Sequence, residues 1–432
     1  MVFTPTFLDE LRERVSLAQV VGRRVRLQKR GREHSGLCPF HNEKTPSFTL
    51  NEDKGFFHCF GCGAHGDVIG FVMRSEGLSF PEAVGRVAAE AGVELPTVTP
   101  DDRARAERGT LLANALEAAA SWYATQLGGQ VGRAAKAYLD KRGVKAETIA
   151  RFRLGFAPGA RSALKDAMLA RGFAEDALVE AGLLKRPDDG GASYDRFRDR
   201  IMFPISDRRG RIIAFGGRAM AEGLAKYINS PETPLFHKGR HLYNLALARE
   251  AAATAGAVIV VEGYMDVIAL AQAGIAHAVA PMGTALTEDQ MAEAWRMAPE
   301  PVLCFDGDEA GWRAALRAAE RALPLLKPGY SFRFALLPKG LDPDDLVRQK
   351  GAAAMNEVAE QALPLSEILW RRAGAGNKAD TAGRRAALRQ DLLDLIRTIG
   401  DPGVRSYYRQ DADQRLARAF PGRLYVELMR HD

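Results

Sequence analysis

Three apolar runs in residues 257–337 alternate with segments of helical pattern. The runs are AVIVV, PVLCF and FRFALL, and their β-branched and aromatic residues are typical of buried strands. Apolar residues at helical spacing fill residues 265–273, 287–298 and 310–326. Strand, helix and strand in repeated order predict βαβ units that share a parallel sheet.

Acidic residues follow the end of each predicted strand. They are Glu262 and Asp266 after the first run, Asp306 and Asp308 after the second, and Asp342, Asp344 and Asp345 after the third. Because the carboxyl ends of parallel strands meet at one edge of a sheet, these side chains are expected to form one pocket. Clustered carboxylates repel one another unless a cation binds, and hard oxygen ligands suit Mg²⁺ or Mn²⁺. Acids at strand ends can also be ordinary solvated loop residues, but three clusters in register favour a metal site.

The strongest short signal lies nearer the N-terminus. Cys38-Pro-Phe-His41 and Cys59-Phe-Gly-Cys62 are separated by seventeen residues, and such paired spacing is typical of a tetrahedral zinc site. Two strands, at residues 47–51 and 55–59, are predicted between the pairs. The sequence therefore predicts a zinc ribbon with a structural rather than catalytic ion. His34, His58 and His65 are alternative ligands, although alternation along a strand turns His58 to the opposite face from Cys59.

Aromatic and basic residues accumulate in the same region. The phenylalanines are Phe40, Phe48, Phe56, Phe57 and Phe60, and the cations are Arg23, Arg24, Arg26, Lys29, Arg30, Arg32, Lys44 and Lys54. Rings and cations together suit single-stranded nucleic acid, on which bases stack and phosphates pair. A small ribbon also needs phenylalanines for its core, so the sequence leaves the rings divided between the two roles.

The middle of the chain is basic. The segment DRFRDRIMFPISDRRGRIIAFGGR, at residues 195–218, predicts two strands joined by a DRRG turn. Its cations and those that follow are Arg196, Arg198, Arg200, Arg208, Arg209, Arg211, Arg218, Lys226, Lys238 and Arg240, with Asn229 among them. A solvated strand face would carry mixed signs, whereas this excess of positive charge favours a site for polyphosphate or a nucleic-acid backbone.

Composition narrows the class of protein. Hydrophobic residues make up 47% and charged residues 26% of the 432 residues, which is typical of globular domains. A net charge of +6 is compatible with a nucleic-acid partner. No apolar run has the length of a membrane span, and the charged first residues do not resemble a signal peptide, so the expected compartment is the cytoplasm. Cys304, inside an apolar run, is expected to be a core residue.

Several motifs together resemble the bacterial DNA primases of the DnaG type. They are CPFHNEKTPSF…FHCFGCGAHGD, YDRFRDRIMFPI, FGGR, KYINSPET, FHKGR, VVEGYMDVIAL and FDGDEAG, and the resemblance extends from the N-terminus to at least Pro364. It implies a multidomain α+β and α/β fold: a zinc ribbon at 1–96, a linker at 97–110, a mixed α/β basic subdomain at 111–255, a Toprim-like parallel sheet at 256–345 and a helical bundle at 346–432. It also implies that the chain synthesises RNA primers on single-stranded DNA from ribonucleoside triphosphates, by metal-dependent nucleotidyl transfer at the replication fork in the nucleoid.

The resemblance assigns roles to individual residues. It implies that Glu262, Asp306 and Asp308 are the principal catalytic metal ligands, and that Asp266, Asp342 and Asp344 complete a site for two or more Mg²⁺ or Mn²⁺ ions. It assigns one zinc ion to Cys38, His41, Cys59 and Cys62. A surface for nucleotide and template is expected from Arg142, Arg196, Arg198, Arg200, Arg218, Lys226, Asn229 and Lys238. The family usually continues into a helicase-binding domain after the position of Asp432, so the resemblance suggests a truncated chain and places contact with the replicative helicase outside it.

Two other classes of function compete with this interpretation. The first is a Toprim-type DNA cleavage enzyme, such as a topoisomerase or nuclease. Cleavage by a topoisomerase needs a tyrosine nucleophile at the acids, and Tyr264 lies inside the acidic motif, where packing or positioning is the expected role. A non-enzymatic zinc-ribbon DNA-binding protein or recombination mediator would use its acids only to hold a structural ion. A fused helicase motor is not expected, because the sequence has no GxxxxGK[ST] loop.

Overall fold

The computed structural model describes residues 3, 5–31, 33–52, 55–95, 100–221, 223, 225–283, 285–374 and 380–420, with the backbone alone at 5, 6 and 30. Arg32, Lys54, the side chain of Arg30 and parts of the predicted linker and helical tail lie outside this description. Backbone contacts divide the chain into two compact units, Met1–Ala106 and Glu107–Asp432. No helix in the described ranges combines the length and apolar character needed to cross a membrane.

The first unit is a small antiparallel sheet between helices. Its elements are α1 (Pro5–Arg14), α2 (Leu17–Gly22), β1 (Gln28–Arg30), β2 (Glu33–Gly36), β3 (Phe48–Asn51), β4 (Phe56–Cys59), β5 (His65–Gly66), α3 (Val68–Glu76) and α4 (Phe80–Ala91). The strands follow one another in sheet order β1-β2-β3-β4-β5. Only β3 and β4 were predicted; β1, β2 and β5 are shorter or lack a clear alternation of apolar residues.

Capping residues fix the helix ends of this unit. Ser16, which lies between α1 and α2, is the N-cap of α2 and accepts a hydrogen bond from the Gln19 backbone N–H at 3.2 Å. Asp67 caps α3 in the same way. The core beneath the sheet is aromatic, and Phe48, Phe57 and Phe71 are each almost fully buried within it.

The second unit begins with helices around a four-stranded antiparallel sheet. Its elements are α5 (Pro100–Gly128), α6 (Arg133–Lys141), α7 (Ala146–Arg151), β6 (Gly155–Ala157), α8 (Ala163–Leu169), α9 (Glu175–Glu180), β7 (Leu184–Lys185), β8 (Tyr194–Asp195), β9 (Arg200–Ser206), β10 (Ile212–Ala219), β11 (Tyr227–Asn229) and α10 (Leu245–Ala255). The sheet order is β11-β10-β9-β6. The predicted linker is helical from Pro100, because proline is compatible with the first position of a helix and the charged residues that follow tolerate solvent.

A second, mostly parallel sheet follows. Its elements are β12 (Ile259–Val260), α11 (Tyr264–Gln272), β13 (Ala278–Val279), α12 (Glu288–Trp295), β14 (Val302–Phe305), α13 (Glu309–Ala322), β15 (Arg333–Leu336), α14 (Pro343–Glu360) and β16 (Leu363–Pro364). The order is β13-β12-β14-β15-β16, and every neighbouring pair is parallel except β15 with β16. The chain thus forms the parallel sheet that the βαβ pattern predicts.

Three further helices, α15 (Leu365–Gly374), α16 (Ala382–Arg397) and α17 (Pro402–Ala419), follow this sheet. Their apolar faces pack in one cluster with α13 and with one face of the parallel sheet. α14 bends at Gly351, where the glycine adopts φ 81°. Asp401 caps α17.

Candidate functional site

Four ligand-type side chains converge in the first unit. One ligand atom from each of Cys38, His41, Cys59 and Cys62 lies within 4.8 Å of all the others. The Sγ atoms of Cys38 and Cys62 are 3.8 Å apart, and Cys59 Sγ is 3.8 Å from His41 Nδ1. Cys59 ends β4, and the turn that follows it returns Cys62 to the same point. Three sulfurs and one ring nitrogen at these separations suit a tetrahedral zinc ion.

Two residues that sequence reasoning missed orient these ligands. A carboxylate oxygen of Glu43 lies 3.2 Å from His41 Nε2, whereas the other ring nitrogen, Nδ1, is the one 3.8 Å from Cys59 Sγ. Glu43 also accepts hydrogen bonds from the backbone N–H groups of Cys38 at 2.7 Å and Ser47 at 3.1 Å. The Ser47 hydroxyl lies 3.2 Å from Cys59 Sγ. A carboxylate behind a histidine ligand fixes the ring and its tautomer, so the HNEKTPSF motif supplies both the ligand and its support.

Local backbone and hydrogen bonds favour a thiolate at Cys59. Burial raises its pKa, but hydrogen bonds from Ser47 and from the backbone N–H groups of Cys62 and Gly61 outweigh burial and bring the pKa to about 6. A Cβ at Gly61 would lie 2.7 Å from His41 Nε2. A side chain is therefore excluded at this position.

The alternative histidine ligands lie outside the cluster. His58 is on the other face of β4, where its ring is 4.6 Å from that of Phe60 and 6.0 Å from that of His65. Phe56 and Phe60 share this outward face, with 42% and 74% of their surface exposed. Phe48 and Phe57 are in the core, and Phe40 packs against them. The five phenylalanines are thus divided between core and surface.

The predicted acids gather at the carboxyl edge of the parallel sheet. Ile259 of β12 is in register with Val302 of β14, and Leu303 of β14 with Phe334 of β15. Glu262 and Asp306 therefore follow the carboxyl ends of two neighbouring strands, at similar positions along the strand direction. Burial raises the pKa of Glu262, and the charges of Asp306 and Asp308 raise it further. Burial likewise raises the pKa of Asp306, and Asp342 and Asp308 add to that effect. The acids thus act on one another electrostatically.

Helix starts hold three of these acids in place. Asp308 is the N-cap of α13 and accepts from the Gly311 N–H at 2.7 Å, and Asp342 caps α14 through the Asp345 N–H at 2.7 Å. Asp266, in the first turn of α11, accepts from the Gly263 N–H at 3.0 Å. Each of these hydrogen bonds fixes the position of a carboxylate but uses only one of its two oxygens.

Glycine shapes the loop that carries the second acidic pair. A Cβ at Gly307 would lie 2.2 Å from the Leu337 carbonyl oxygen, and a Cβ at Gly311 would lie 2.1 Å from the Asp306 carbonyl oxygen. The motif FDGDEAG therefore needs both glycines. Gly307 lets the backbone of the loop after β15 come close, and Gly311 lets the backbone at Asp306 come close.

Burial is greatest on the side of the pocket formed by Asp266 and Asp344. Burial raises the pKa of Asp266 to about 8, with contributions from Asp342, Asp306 and Asp344. Asp344 is 3% exposed, and its Oδ2 lies 3.3 Å from Arg142 Nη1 without a well-formed hydrogen bond. Among the described residues, the Cys–His cluster is the one group of three or more ligand-type side chains whose ligand atoms are close enough together to hold a metal ion. The predicted acids do not form such a group, although their charges act on one another.

Several of the predicted basic and amide residues meet the acidic motif. Asn229 donates from Nδ2 to the Met282 carbonyl at 2.9 Å and accepts from the Tyr264 hydroxyl at 2.7 Å. Asn229 Nδ2 and Lys238 Nζ both lie near the Cβ position of Gly283, at 3.7 and 4.0 Å. β11 and the loop after it are thus joined to the loop that follows β13.

Arg218, Lys226 and Arg198 lie at or near the surface. The Arg218 guanidinium stacks over the rings of Tyr138 at 4.6 Å and Tyr227 at 5.6 Å. Lys226 is exposed, and Arg198 stacks over the ring of Tyr194 at 5.2 Å. These three side chains can reach a ligand.

Two of the predicted phosphate-binding arginines point inward. Arg200 is 5% exposed and donates to the carbonyl oxygens of Gly217 at 3.2 Å and Ala225 at 2.9 Å. The absence of a side chain at Gly217 makes room for it, because a Cβ there would lie 3.1 Å from Arg200 Cδ. The prediction for Arg200 is therefore corrected: it ties strands together. Arg196 is half-buried and donates to the Asn229 carbonyl at 3.4 Å, so it supports Asn229.

Tyr264 is a packing residue. It is 5% exposed, its ring stacks on Phe203 with centroids 5.1 Å apart, and its hydroxyl is bonded to Asn229. Burial raises its pKa well above the ordinary value. A Cβ at Gly216 would lie 2.7 Å from the Tyr264 ring, which accounts for this glycine of FGGR. Tyr264 therefore lacks the exposure that the topoisomerase interpretation requires of a nucleophile.

Comparisons with known proteins agree with this architecture. Family models match in three parts: a CHC2 zinc finger at residues 3–103, the N-terminal domain of the DNA primase catalytic core at 122–249, and a Toprim domain at 256–335. The DNA primase of Escherichia coli K12 is 43% identical over 413 residues, which cover 95% of this chain and 71% of that protein.

Solved structures give the same result. The zinc-binding and RNA polymerase domains of the Aquifex aeolicus primase are 30% identical, with a TM-score of 0.62 over 98% of this chain and 99% of that one. The catalytic domain of a DnaG primase bound to single-stranded DNA is 42% identical, with a TM-score of 0.65 over 72% of this chain and 99% of that one. The chain therefore belongs to the DnaG family of bacterial DNA primases, nucleotidyltransferases that synthesise primers on single-stranded DNA.

Proposed function

We propose that the acids at the edge of the parallel sheet hold two or more divalent cations, Mg²⁺ or Mn²⁺, for RNA primer synthesis. Glu262, Asp306 and Asp308 are the principal ligands, and Asp266, Asp342 and Asp344 complete the site. The observation that carries this proposal is the electrostatic coupling of acids on neighbouring parallel strands, which raises the pKa values of Glu262, Asp306 and Asp266. Asp344 Oδ2 is buried without a hydrogen-bond partner, and a bound cation would compensate its charge.

The chain's own residues position the reactants. Bound divalent cations supply stabilisation of the charge on the attacking and leaving oxygens. Glu262 either ligates an ion or accepts the proton of the primer 3′-hydroxyl, since it has the raised pKa that a general base needs. Lys238 and Asn229 face the loop after β13 and would hold the triphosphate there. Primer synthesis on single-stranded DNA, assayed with ribonucleoside triphosphates and Mg²⁺ or Mn²⁺, tests the proposal.

A surface for template and nucleotide follows from the basic residues that remain available. They are Arg142, Arg198, Arg218, Lys226 and Lys238, with Asn229 as a neutral partner and Arg196 as its support. The exposed cations suit phosphate groups. Arg142 differs from the others because it already faces Asp344.

The domain layout and the partners follow the same family. We propose a zinc ribbon at 1–96, a linker at 97–110, a basic subdomain at 111–255, a Toprim subdomain at 256–345 and a helical subdomain at 346–432. Ribonucleoside triphosphates and the RNA primer are the proposed ligands. The replicative helicase is a proposed partner, and the nucleoid at the replication fork is the proposed location.

Replacing Asp266 with asparagine is expected to stabilise the cation-free protein at pH 8. The pKa of Asp266 is about 8 in the fold, against about 3.9 for an ordinary aspartate. Between these values the folded protein keeps a proton that the unfolded chain releases, so the free energy of unfolding falls as pH rises through this window. Asparagine carries no charge, and the variant should melt at least about 2 °C above wild type at pH 8 in buffer without Mg²⁺ or Mn²⁺ and without a chelator that would remove zinc.

The pH dependence separates this effect from a simple packing change. Near pH 4 the difference in melting temperature should disappear, and Mg²⁺ should stabilise wild type more at pH 8 than at pH 5. Asp394→Asn, which removes an exposed acid of α16, is the matched control and should show neither behaviour. An equal gain for Asp266→Asn at both pH values would contradict the assignment.

The outward face of β4 is the proposed contact of the zinc ribbon with single-stranded DNA. Phe56, His58, Phe60 and His65 form a continuous set of rings on this face, with neighbouring centroids 4.6 to 6.1 Å apart. Exposed rings offer stacking surfaces to bases, whereas Phe48 and Phe57 are buried and cannot.

Phe60→Ala is expected to weaken the binding of a short single-stranded oligonucleotide about tenfold, since one base–aromatic stack contributes ~1–3 kcal/mol. Titration of a labelled oligonucleotide into the full chain measures the dissociation constant. Tyr407, which is 75% exposed on α17, supplies the control, and Tyr407→Ala should leave binding unchanged. Equal effects of the two substitutions would remove the ribbon face from the proposal.

A further inference from the structure

A cavity of about 300 Å³ opens beside Glu262, on the face of the parallel sheet that α13 covers. Val260 of β12 and Leu303 and Phe305 of β14 form one wall. Ala314, Arg317, Ala318 and Arg321 of α13 form the opposite wall, and the loop after β13 closes one side. None of the proposed metal ligands except Glu262 lines this cavity.

The topology places the cavity where α/β sheets commonly bind ligands. After β12 the chain crosses through α11, whose residues pack in the core on one face of the sheet. After β14 it crosses through α13, which packs on the other face. The strand order therefore reverses between β12 and β14, and the crevice outside the carboxyl ends of such strands is a ligand position.

The face of α13 keeps this crevice open. Ala314 and Ala318 present only methyl groups to it, while Arg317 and Arg321 lie on the same side at helical spacing. Arg321 donates to the Leu286 carbonyl at 2.5 Å and so holds the loop after β13. Among the residues that the structure describes, Arg317 makes no hydrogen bond or ion pair, although its charge reaches Glu262. An apolar cavity with one available cation and an acid at its mouth suits a ligand with a flat apolar part and an anionic end.

We propose that this cavity binds the base and ribose of the incoming ribonucleoside triphosphate, and that Arg317 contacts its phosphates. The inference rests on the proposed function, since Glu262 at the mouth would hold a cation that the phosphates share. A volume of about 300 Å³ is at the lower end of small-molecule sites, roughly 300–1,000 Å³. It accommodates one nucleoside rather than a stretch of template. Arg317 thus becomes a nucleotide-binding residue, and the two alanines determine the space for the base.

Two substitutions test the cavity without touching the acids. Arg317→Ala removes the cation, and Ala314→Leu fills the space beneath it. Arg317→Ala is expected to raise the KM for ATP in template-directed synthesis about tenfold, as the loss of one charge-assisted hydrogen bond would. Ala314→Leu is expected to raise it to a similar extent, because the larger side chain occupies the space of the base. In both variants kcat and the affinity for a single-stranded oligonucleotide should stay within about twofold of wild type. Calorimetric titration of the full chain with ATP and Mg²⁺ should show the same loss of affinity independently of turnover.

Arg313→Ala is the matched control. Arg313 is exposed on the same helix, pairs with Glu309 at 3.2 Å and does not line the cavity. It should leave the KM for ATP unchanged. Unchanged KM and ATP affinity in both cavity variants of an active enzyme would overturn the inference, as would a loss confined to oligonucleotide binding. Absence of primer synthesis by the wild type would instead count against the proposed function.

Discussion

Asp308→Asn is expected to lower primer synthesis by about a thousandfold or more. An ion held by shared carboxylates stabilises several kcal/mol of transition-state charge, and ~4 kcal/mol corresponds to about a thousandfold in rate. Asparagine removes the charge but keeps the N-cap of α13, where Asp308 accepts from the Gly311 N–H. The melting temperature should therefore remain close to that of wild type. Primer yield on single-stranded DNA, measured over a range of Mg²⁺ and Mn²⁺ concentrations, gives the result.

The choice of asparagine separates catalysis from folding. Asp308→Ala removes both the charge and the cap, and should add a loss of about 1 kcal/mol in stability to the same loss of activity. Asp401 caps α17 with the same geometry, through the Val404 N–H at 2.9 Å, so Asp401→Asn is the control for a cap substitution alone. Primer synthesis by Asp308→Asn within tenfold of wild type would exclude Asp308 from ion binding.

Loss of the zinc ligands is expected to unfold much of the first unit while the second unit stays folded. A structural zinc ion contributes on the order of 10 kcal/mol to the folding of a small module. The cluster joins the loop after β2 to β4 and the turn after it, so its loss releases the centre of the sheet. Cys59→Ala should abolish the bound zinc and expose the amides of β3 and β4 to hydrogen exchange, with the amides of β12 and β14 still protected.

Cys304 supplies the control for this experiment. It is 2% exposed inside β14 and belongs to the core of the parallel sheet rather than to the cluster. Cys304→Ala should keep one zinc ion per chain and leave exchange in β3 and β4 unchanged. Retained protection of β3 and β4 in zinc-free Cys59→Ala protein would show that the aromatic core holds this sheet without the ion.

Glu43 extends the same argument to residues that spacing rules do not identify. Its carboxylate faces His41 and accepts from two backbone N–H groups, so it supports the cluster without belonging to the Cys and His pattern. A glutamate two residues after a histidine is common in sequences. Only the fold of the loop brings its oxygens close to His41 Nε2.

The sequence by itself determined the features that depend on local spacing. The two pairs of ligand-type residues, the alternation along β4 and the strand–helix order of residues 257–337 were sufficient to predict a Cys–His cluster and acids at the edge of a parallel sheet. The backbone geometry at the end of a strand, or in a tight turn such as Cys59–Cys62, depends on a few neighbouring residues. The local sequence is therefore enough to predict it. The three short strands of the ribbon were missed because their propensities are weak without the packing around them. The start of α5 was missed because proline and dense charge are typical of a linker as well as of an exposed first helical turn.

Only the tertiary structure decided which side chains remain available for a ligand. Arg200 belongs to a basic segment by its sequence, yet the space left by Gly217 draws it into the sheet. Tyr264 belongs to the acidic motif, yet its ring is buried and its hydroxyl is bonded to Asn229, thirty-five residues away. The periodicity of a sequence predicts the face of a helix or strand on which a residue lies. It does not predict which residue packs against that face, because that residue comes from a distant part of the chain. The free energy of burying a charge or a hydroxyl depends on that partner, and so the division between structural and ligand-binding residues emerges only when the chain is folded.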